Sequence, residues 1–266
     1  MMRTSGVWLA VTVLGASGAW GQTIETGFLN RALTLDGVEH RYQVYVPRDY
    51  RSSQAWPVIL ALHGGGERGT DGLIQTEVGL GRAIRRHMYR FPSVVVFPQR
   101  TQEGTPAGWQ GLGARVALAA LDKTLAEFNA DTSRIYLTGL SMGGNGSWYL
   151  AYHHGDRFAA ALVICGWVGE RGSASASVAF PGIAPPSESD PFAAVARKVA
   201  GLPIWIFHGD ADPVVPVAES RGMAEALRTL KADVQYTELP GVNHNSWDAA
   251  YDRADVIEWL FKQRRP

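Results

Sequence analysis

The sequence predicts an α/β fold, a mostly parallel central sheet with helices on both faces, preceded by an antiparallel N-terminal hairpin. Three observations predict it. Short, continuously apolar runs recur at Val58–Leu62, Val94–Phe97, Ala160–Cys165 and Pro203–Phe207, as strands covered on both faces require. Helix-period segments alternate with them, the pattern of a parallel sheet with crossover helices. A glycine-rich turn, Gly139-Leu140-Ser141-Met142-Gly143, links the β-prone Ile135–Leu137 to a helical run from Asn145. With 266 residues, 46% of them hydrophobic and 19% charged, the chain suits one large domain, assigned to residues 22–266.

In chain order, Met1-Met2-Arg3 and the short apolar run Val7–Leu14 resemble an export leader over residues 1–21, with Ala19 and Gly21 at −3 and −1 of a cut before Gln22. That run is too short to span a bilayer, so the expectation is a secreted or periplasmic protein with no membrane span after cleavage; an uncleaved anchor is the alternative. Ala32–Leu35, Asp36-Gly37 and Val38–Val46 form the hairpin, since Asp-Gly suits a two-residue turn. Val116–Phe128 places Leu118, Leu121, Leu125 and Phe128 at helical spacing, Val234–Leu239 is the last strand, and Asp255–Lys262 is a closing amphipathic helix. Residues 169–190, rich in Gly, Ala, Ser and Pro, are expected to be a flexible surface loop, or else a small lid, because they leave from the ligand side of the sheet. The single cysteine, Cys165, is expected to be a small buried hydrophobe.

Lys+Arg 25 balances Asp+Glu 25. No basic stripe suits nucleic acid, and the expected partner is a neutral or small ligand.

The chemistry is concentrated in four loops at strand ends. Gly139–Gly143 fits G-x-S-x-G, in which a strand reverses so sharply into a helix that glycines must flank the apical serine. Ser141 is the candidate nucleophile, and the N–H of Met142 points where an oxyanion would form. His63-Gly64-Gly65-Gly66 follows an early buried strand and can supply the second N–H, Gly65 being the first choice and Gly64 the second; no Walker lysine accompanies it, so a phosphate loop is not expected. His208-Gly209-Asp210-Ala211-Asp212 offers two carboxylates after another strand, one able to orient an imidazole and the other a turn residue. Of the seven histidines, only His244 follows both the serine and the acids on a polar loop. His63 and His208 are read as satisfied structural residues. Trp109 is a candidate aromatic wall for substrate, and Gln99, just after the Val94–Phe97 run, a further candidate contact.

The pieces Leu62–Glu67, Phe97-Pro98-Gln99, Gly139–Gly144, His208–Pro216 and Gly241–Trp247 together resemble the α/β-hydrolase superfamily. Within it they are similar to the esterase group of polyhydroxybutyrate-depolymerase-like and feruloyl-esterase-like secreted enzymes. The resemblance implies an α/β-hydrolase fold and selects Asp212 over Asp210, because the acid of H-G-x-x-D-x-x-V-P is the second aspartate. It implies acyl transfer from a small-molecule or oligomeric ester through Ser141, His244 and Asp212, with no metal and no organic cofactor. Similar sequences are also described as peptidases, so a serine peptidase or amidase with the same triad is the alternative.

Overall fold

The structure, a computed structural model, describes residues 25–101, 108–172 and 179–265; the expected leader lies outside the described residues. The chain first reverses at Asp36 and Gly37, both with positive φ (52° and 78°), as the tightest hairpin turns require. This turn joins β1 (Gly27–Leu35) to β2 (Val38–Val46) in continuous antiparallel register, from Gly27↔Val46 to Leu35↔Val38. β1 begins at Gly27 rather than Ala32 because pairing with β2 extends it past its apolar stretch.

From there strands and helices alternate. In order they are β3 (Trp56–Leu62), α1 (Gly79–His87), β4 (Val94–Pro98), α2 (Leu112–Glu127), β5 (Ala130–Leu140), α3 (Met142–His154) and β6 (Ala160–Ile164). Two-residue strands β7 (Arg171–Gly172) and β8 (Ala179–Phe180) follow, then α4 (Pro191–Val199), β9 (Ile204–Gly209), α5 (Ala218–Thr229), β10 (Val234–Leu239), α6 (Trp247–Tyr251) and α7 (Ala254–Lys262). Eight strands form one sheet in the order β1-β2-β4-β3-β5-β6-β9-β10. Pairing is parallel from β4 to β10 and antiparallel at β1–β2 and β2–β4.

Side chains alternate across that sheet. Val58, Leu60 and Leu62 of β3 face the layer built from α2, α3, α4 and α5, whereas Ile59 and Ala61 face α1, α6 and α7. Each fully buried Val, Ile or Leu contributes roughly 1.5–3 kcal/mol, so β3, buried along its whole length, anchors both layers. Thr138, inside β5, donates its hydroxyl to Leu162 O at 2.7 Å and meets Tyr251 Oη at 2.8 Å, tying α6 to the central strand.

The segment expected to be a flexible loop is folded at both ends. β7 pairs antiparallel with β8, Ile183 N–H donates to Val168 O at 3.0 Å, and Ile183 and Ala184 are buried. Apolar residues spaced among Gly, Ser and Pro find core contacts there that composition alone does not reveal.

Candidate active site

β5 passes into α3 through one residue. Ser141 takes φ 52° and ψ −115°, a strained backbone region costing on the order of 1–3 kcal/mol for a residue with a side chain. Crowding enforces it. A Cβ on Gly139 would collide with Gly143 O, and one on Gly143 with Leu62 O, so both positions admit only glycine. Ser141 N–H donates to Ile164 O at 2.9 Å, and Ser141 O accepts from Asn145 N–H at 3.0 Å. The elbow is thereby fixed on both sides, with the partly exposed serine at the carboxyl edge of the parallel strands. Met142 opens α3, so its N–H has no carbonyl one turn back in the helix.

His244, on the loop between β10 and α6, sets Nε2 2.9 Å from Ser141 Oγ and Nδ1 2.7 Å from Asp212 Oδ2. The Asp212 side chain is fully buried, while that of His244 keeps 20% of its surface exposed. Asp212 Oδ1 accepts the amides of Val214 (2.8 Å) and Val215 (3.0 Å), and Oδ2 is also 3.1 Å from His208 Nε2. Burial works to raise the Asp212 carboxyl, but the hydrogen bond from His244 and the amides of Val215 and Val214 outweigh it and hold the group below the usual carboxylate range. Asp210 lies in the same loop and plays a different part. It is exposed, and its Oδ1 accepts Gly241 N–H at 2.6 Å, closing the turn that leads to His244. Geometry thus separates two aspartates that secondary structure could not. Trp247 sets its ring edge-on to His244, centroids 5.4 Å apart.

Cys165 packs under this group. Ligand-capable atoms of Cys165, Asp212 and His244 lie within 4.8 Å of one another, the one such metal-capable trio among the described residues. Its imidazole and carboxylate are already hydrogen-bonded to each other. Burial pushes the Cys165 thiol up to about 12.

The loop after β3 is held from behind. His63 is fully buried; its Nε2 accepts Arg100 N–H at 2.9 Å, so the ring proton is on Nδ1, which donates to Gly64 O at 2.6 Å. Burial lowers the imidazole to about 4, which keeps it neutral. In a trans peptide the N–H points opposite the carbonyl. With Gly64 O turned to His63, Gly65 N–H faces away from it, and a Cβ on Gly65 would meet only open space. Burial raises the Glu67 carboxyl, and a Cβ on Gly64 would crowd both that carboxyl and the Leu140 side chain. The arrangement favours Gly65 over Gly64 as an oxyanion donor.

Two sequence candidates are corrected. Trp109 has 0% exposure, lies with its ring centroid 4.9 Å from that of His63 and donates Nε1–H to His63 O at 3.0 Å. Gly146 of α3 packs directly on its Cβ, so Trp109 supports the His63 loop from within and presents no wall to substrate. Gln99, 2% exposed, spends its amide on the loop that follows Glu67. Its Oε1 accepts Gly72 N–H at 2.7 Å, and its Nε2 donates to Asp71 Oδ1 at 3.0 Å and Glu67 O at 3.4 Å. Sequence reasoning also left His63 and His208 outside the site, although one stands beside the glycine run and the other four residues before Asp212.

Flanking the elbow, Phe180 of β8 and the Met142 side chain would both crowd a Cβ on Gly108. Trp167 meets Phe180 edge-on at 5.3 Å, and Arg171 lies 5.1 Å over the Trp167 ring while donating to Val214 O at 2.6 Å. β7 is thereby tied through Arg171 to the Asp212 loop.

The model of the Esterase family matches residues 37–255. The chain belongs to the Esterase family. This family member is similar to a thermostable esterase of known structure, at 32% identity and TM-score 0.70, over 90% of this chain and 63% of that one. A CE1 ferulic acid esterase from Anaeromyces mucronatus, in complex with ferulic acid, shares the fold at 15% identity and TM-score 0.65, over 91% of this chain and 93% of that one. An uncharacterized secreted protein of Arthroderma benhamiae is 23% identical over 229 residues, 77% of this chain but 23% of that protein, so the chain spans about a quarter of that relative's length. The fold is the α/β-hydrolase fold.

Proposed function

We propose that the chain is an exported serine carboxylic-ester hydrolase. The observation that carries this reading is the continuous hydrogen-bonded chain Asp212–His244–Ser141, ending at a serine on a strained elbow. His244 Nε2 takes the proton of Ser141 as Oγ attacks the ester carbonyl, and the Asp212 carboxylate stabilises the imidazolium. The N–H groups of Met142 and Gly65 receive the tetrahedral oxyanion. His244 then gives its proton to the leaving alcohol, and water repeats the sequence on the acyl-enzyme. These steps draw on neither a metal nor an organic cofactor.

A small or oligomeric ester is the expected substrate, and a feruloyl ester is one candidate because a structural neighbour is a ferulic acid esterase. Export is supported by the basic start and short apolar run of residues 1–21 and by the relative described as secreted. No helix among the described residues is long and apolar enough to cross a membrane. A panel of p-nitrophenyl esters, feruloyl esters and aminoacyl-p-nitroanilides tests the reaction class. Turnover of esters far above anilides is expected; the reverse would make the chain an amidase or peptidase.

A further inference from the structure

The triad acid has a second histidine on it. His208 is the fifth residue of β9, and Asp212 stands four residues on, just past the strand end. The His208 side chain is wholly buried. Its Nε2 lies 3.0 Å from Val215 O and 3.1 Å from Asp212 Oδ2, and its Nδ1 lies 2.7 Å from Ser220 Oγ in α5. A backbone carbonyl can only accept, so the ring proton is on Nε2, shared between Val215 O and Asp212 Oδ2. Nδ1 is then the acceptor, and Ser220 donates its hydroxyl proton to it.

The carboxylate of Asp212 therefore receives four donors: His244 Nδ1 and His208 Nε2 on Oδ2, and the amides of Val214 and Val215 on Oδ1. The two amides fix one oxygen, and the two imidazoles share the other. Resting on the proposed triad, we infer that His208 is a positioning residue for it, whose Nε2–H aims Asp212 Oδ2 at His244 and tempers the basicity of that oxygen. A carboxylate relieved of part of its charge by a second donor stabilises the His244 imidazolium less than a bare one would. Loss of that donor is therefore read on the acid side of the activity profile.

The groups facing this pair are few. Burial lowers His208 itself, against the opposing pull of Val215 O and Asp212, so it stays a neutral donor. Beside it in β10, in register, is Glu238, whose carboxylate is held by Arg221 of α5 at 2.5 Å and by the Tyr236 hydroxyl at 2.5 Å. Around His244 are Asp212, Ser141, the Trp247 ring and the Cys165 thiol. The thiol, pushed up to about 12, carries no charge in the working range.

The test compares His208→Gln with His208→Asn in the full mature chain. A glutamine amide reaches the place of Nε2 and can still donate to Asp212, whereas an asparagine amide reaches only the place of Nδ1, toward Ser220. Profiles of kcat/KM against pH on a p-nitrophenyl ester are recorded for both, with melting temperatures. The acid limb of His208→Gln is expected to stay within a few tenths of a unit of wild type. That of His208→Asn is expected to move up by on the order of one unit, the size of shift that a lost hydrogen bond to a charged partner produces. A merely structural role would lower the melting temperature of both and leave the two limbs together; coincident limbs overturn the inference, as does a limb that moves only in the glutamine variant. If Ser141→Ala retains turnover, it is the triad that fails. If Ser141→Ala is dead and the limbs coincide, only the role of His208 fails.

Discussion

Asp212→Asn separates catalysis from stability because of what surrounds the side chain. An asparagine offers one acceptor oxygen and one NH2 group to a site built from four donors. If the oxygen takes the Oδ1 place, both loop amides stay satisfied, and the NH2 faces His244 Nδ1 and His208 Nε2. His208 still has Val215 O at 3.0 Å as an acceptor. His244 can accept the new N–H by moving its own proton to Nε2, which then points at Ser141 as a donor. That tautomer cannot take the serine proton. The opposite rotamer would strand two loop amides at roughly 1–3 kcal/mol each, so the first prevails. The fold should lose about 1–2 kcal/mol, a fall of a few degrees in Tm for a domain of this size. Turnover should fall by about four orders of magnitude in kcat, the loss seen for this change in a serine protease triad, with little change in KM. Asp210→Asn keeps an oxygen for Gly241 N–H, so kcat should stay within about tenfold, with a stability change of about 1 kcal/mol or less. Steady-state kinetics and thermal melts on both variants decide the matter. A folded Asp210→Asn that has lost turnover, or an Asp212→Asn within tenfold of wild type, would refute the reasoning.

Three further outcomes are expected. His63→Leu frees the Gly64 carbonyl and with it the direction of Gly65 N–H, so kcat should fall by about 10²–10³, as when one oxyanion donor is lost, while KM barely moves; an unchanged kcat on esters would remove His63 from the oxyanion loop's support. Cys165 should resist a thiol reagent in the native protein at pH 8 and react once, fully, in denaturant, because it is buried with its thiol raised to about 12. The Asp212 carboxyl is held below its ordinary value, so the stability it contributes is present above about pH 4 and is lost as pH falls further; denaturant titrations should show a shallower acid loss for Asp212→Asn than for wild type.

Much of the fold was legible because burial on both faces writes itself as apolar runs. Val58–Leu62 and Ala160–Ile164 form strands almost where those runs lie. The Asp36–Gly37 turn announced the hairpin through the φ values it needs. Gly139 and Gly143 marked the elbow because no larger residue fits either place. What composition hid was contact between distant segments. Trp109 lies in a glycine-rich stretch that made it a candidate wall for substrate, but Gly146 leaves room for its ring beneath α3. Gln99 looked available at a strand end, yet the loop through Asp71 and Gly72 folds back and consumes its amide. The joint hold of His208 and His244 on one oxygen depends on where two loops meet across the edge of β9, and spacing along the chain does not encode that.

The central claim is that Ser141 is the nucleophile activated by His244, and a serine-directed fluorophosphonate tests it most directly. Intact-mass analysis followed by peptide mapping should find one adduct, on Ser141. The labelling rate should collapse in His244→Ala, and Ser141→Ala should be unlabelled and inactive yet folded. An adduct at another residue, or ester turnover surviving in a folded Ser141→Ala, would contradict the account.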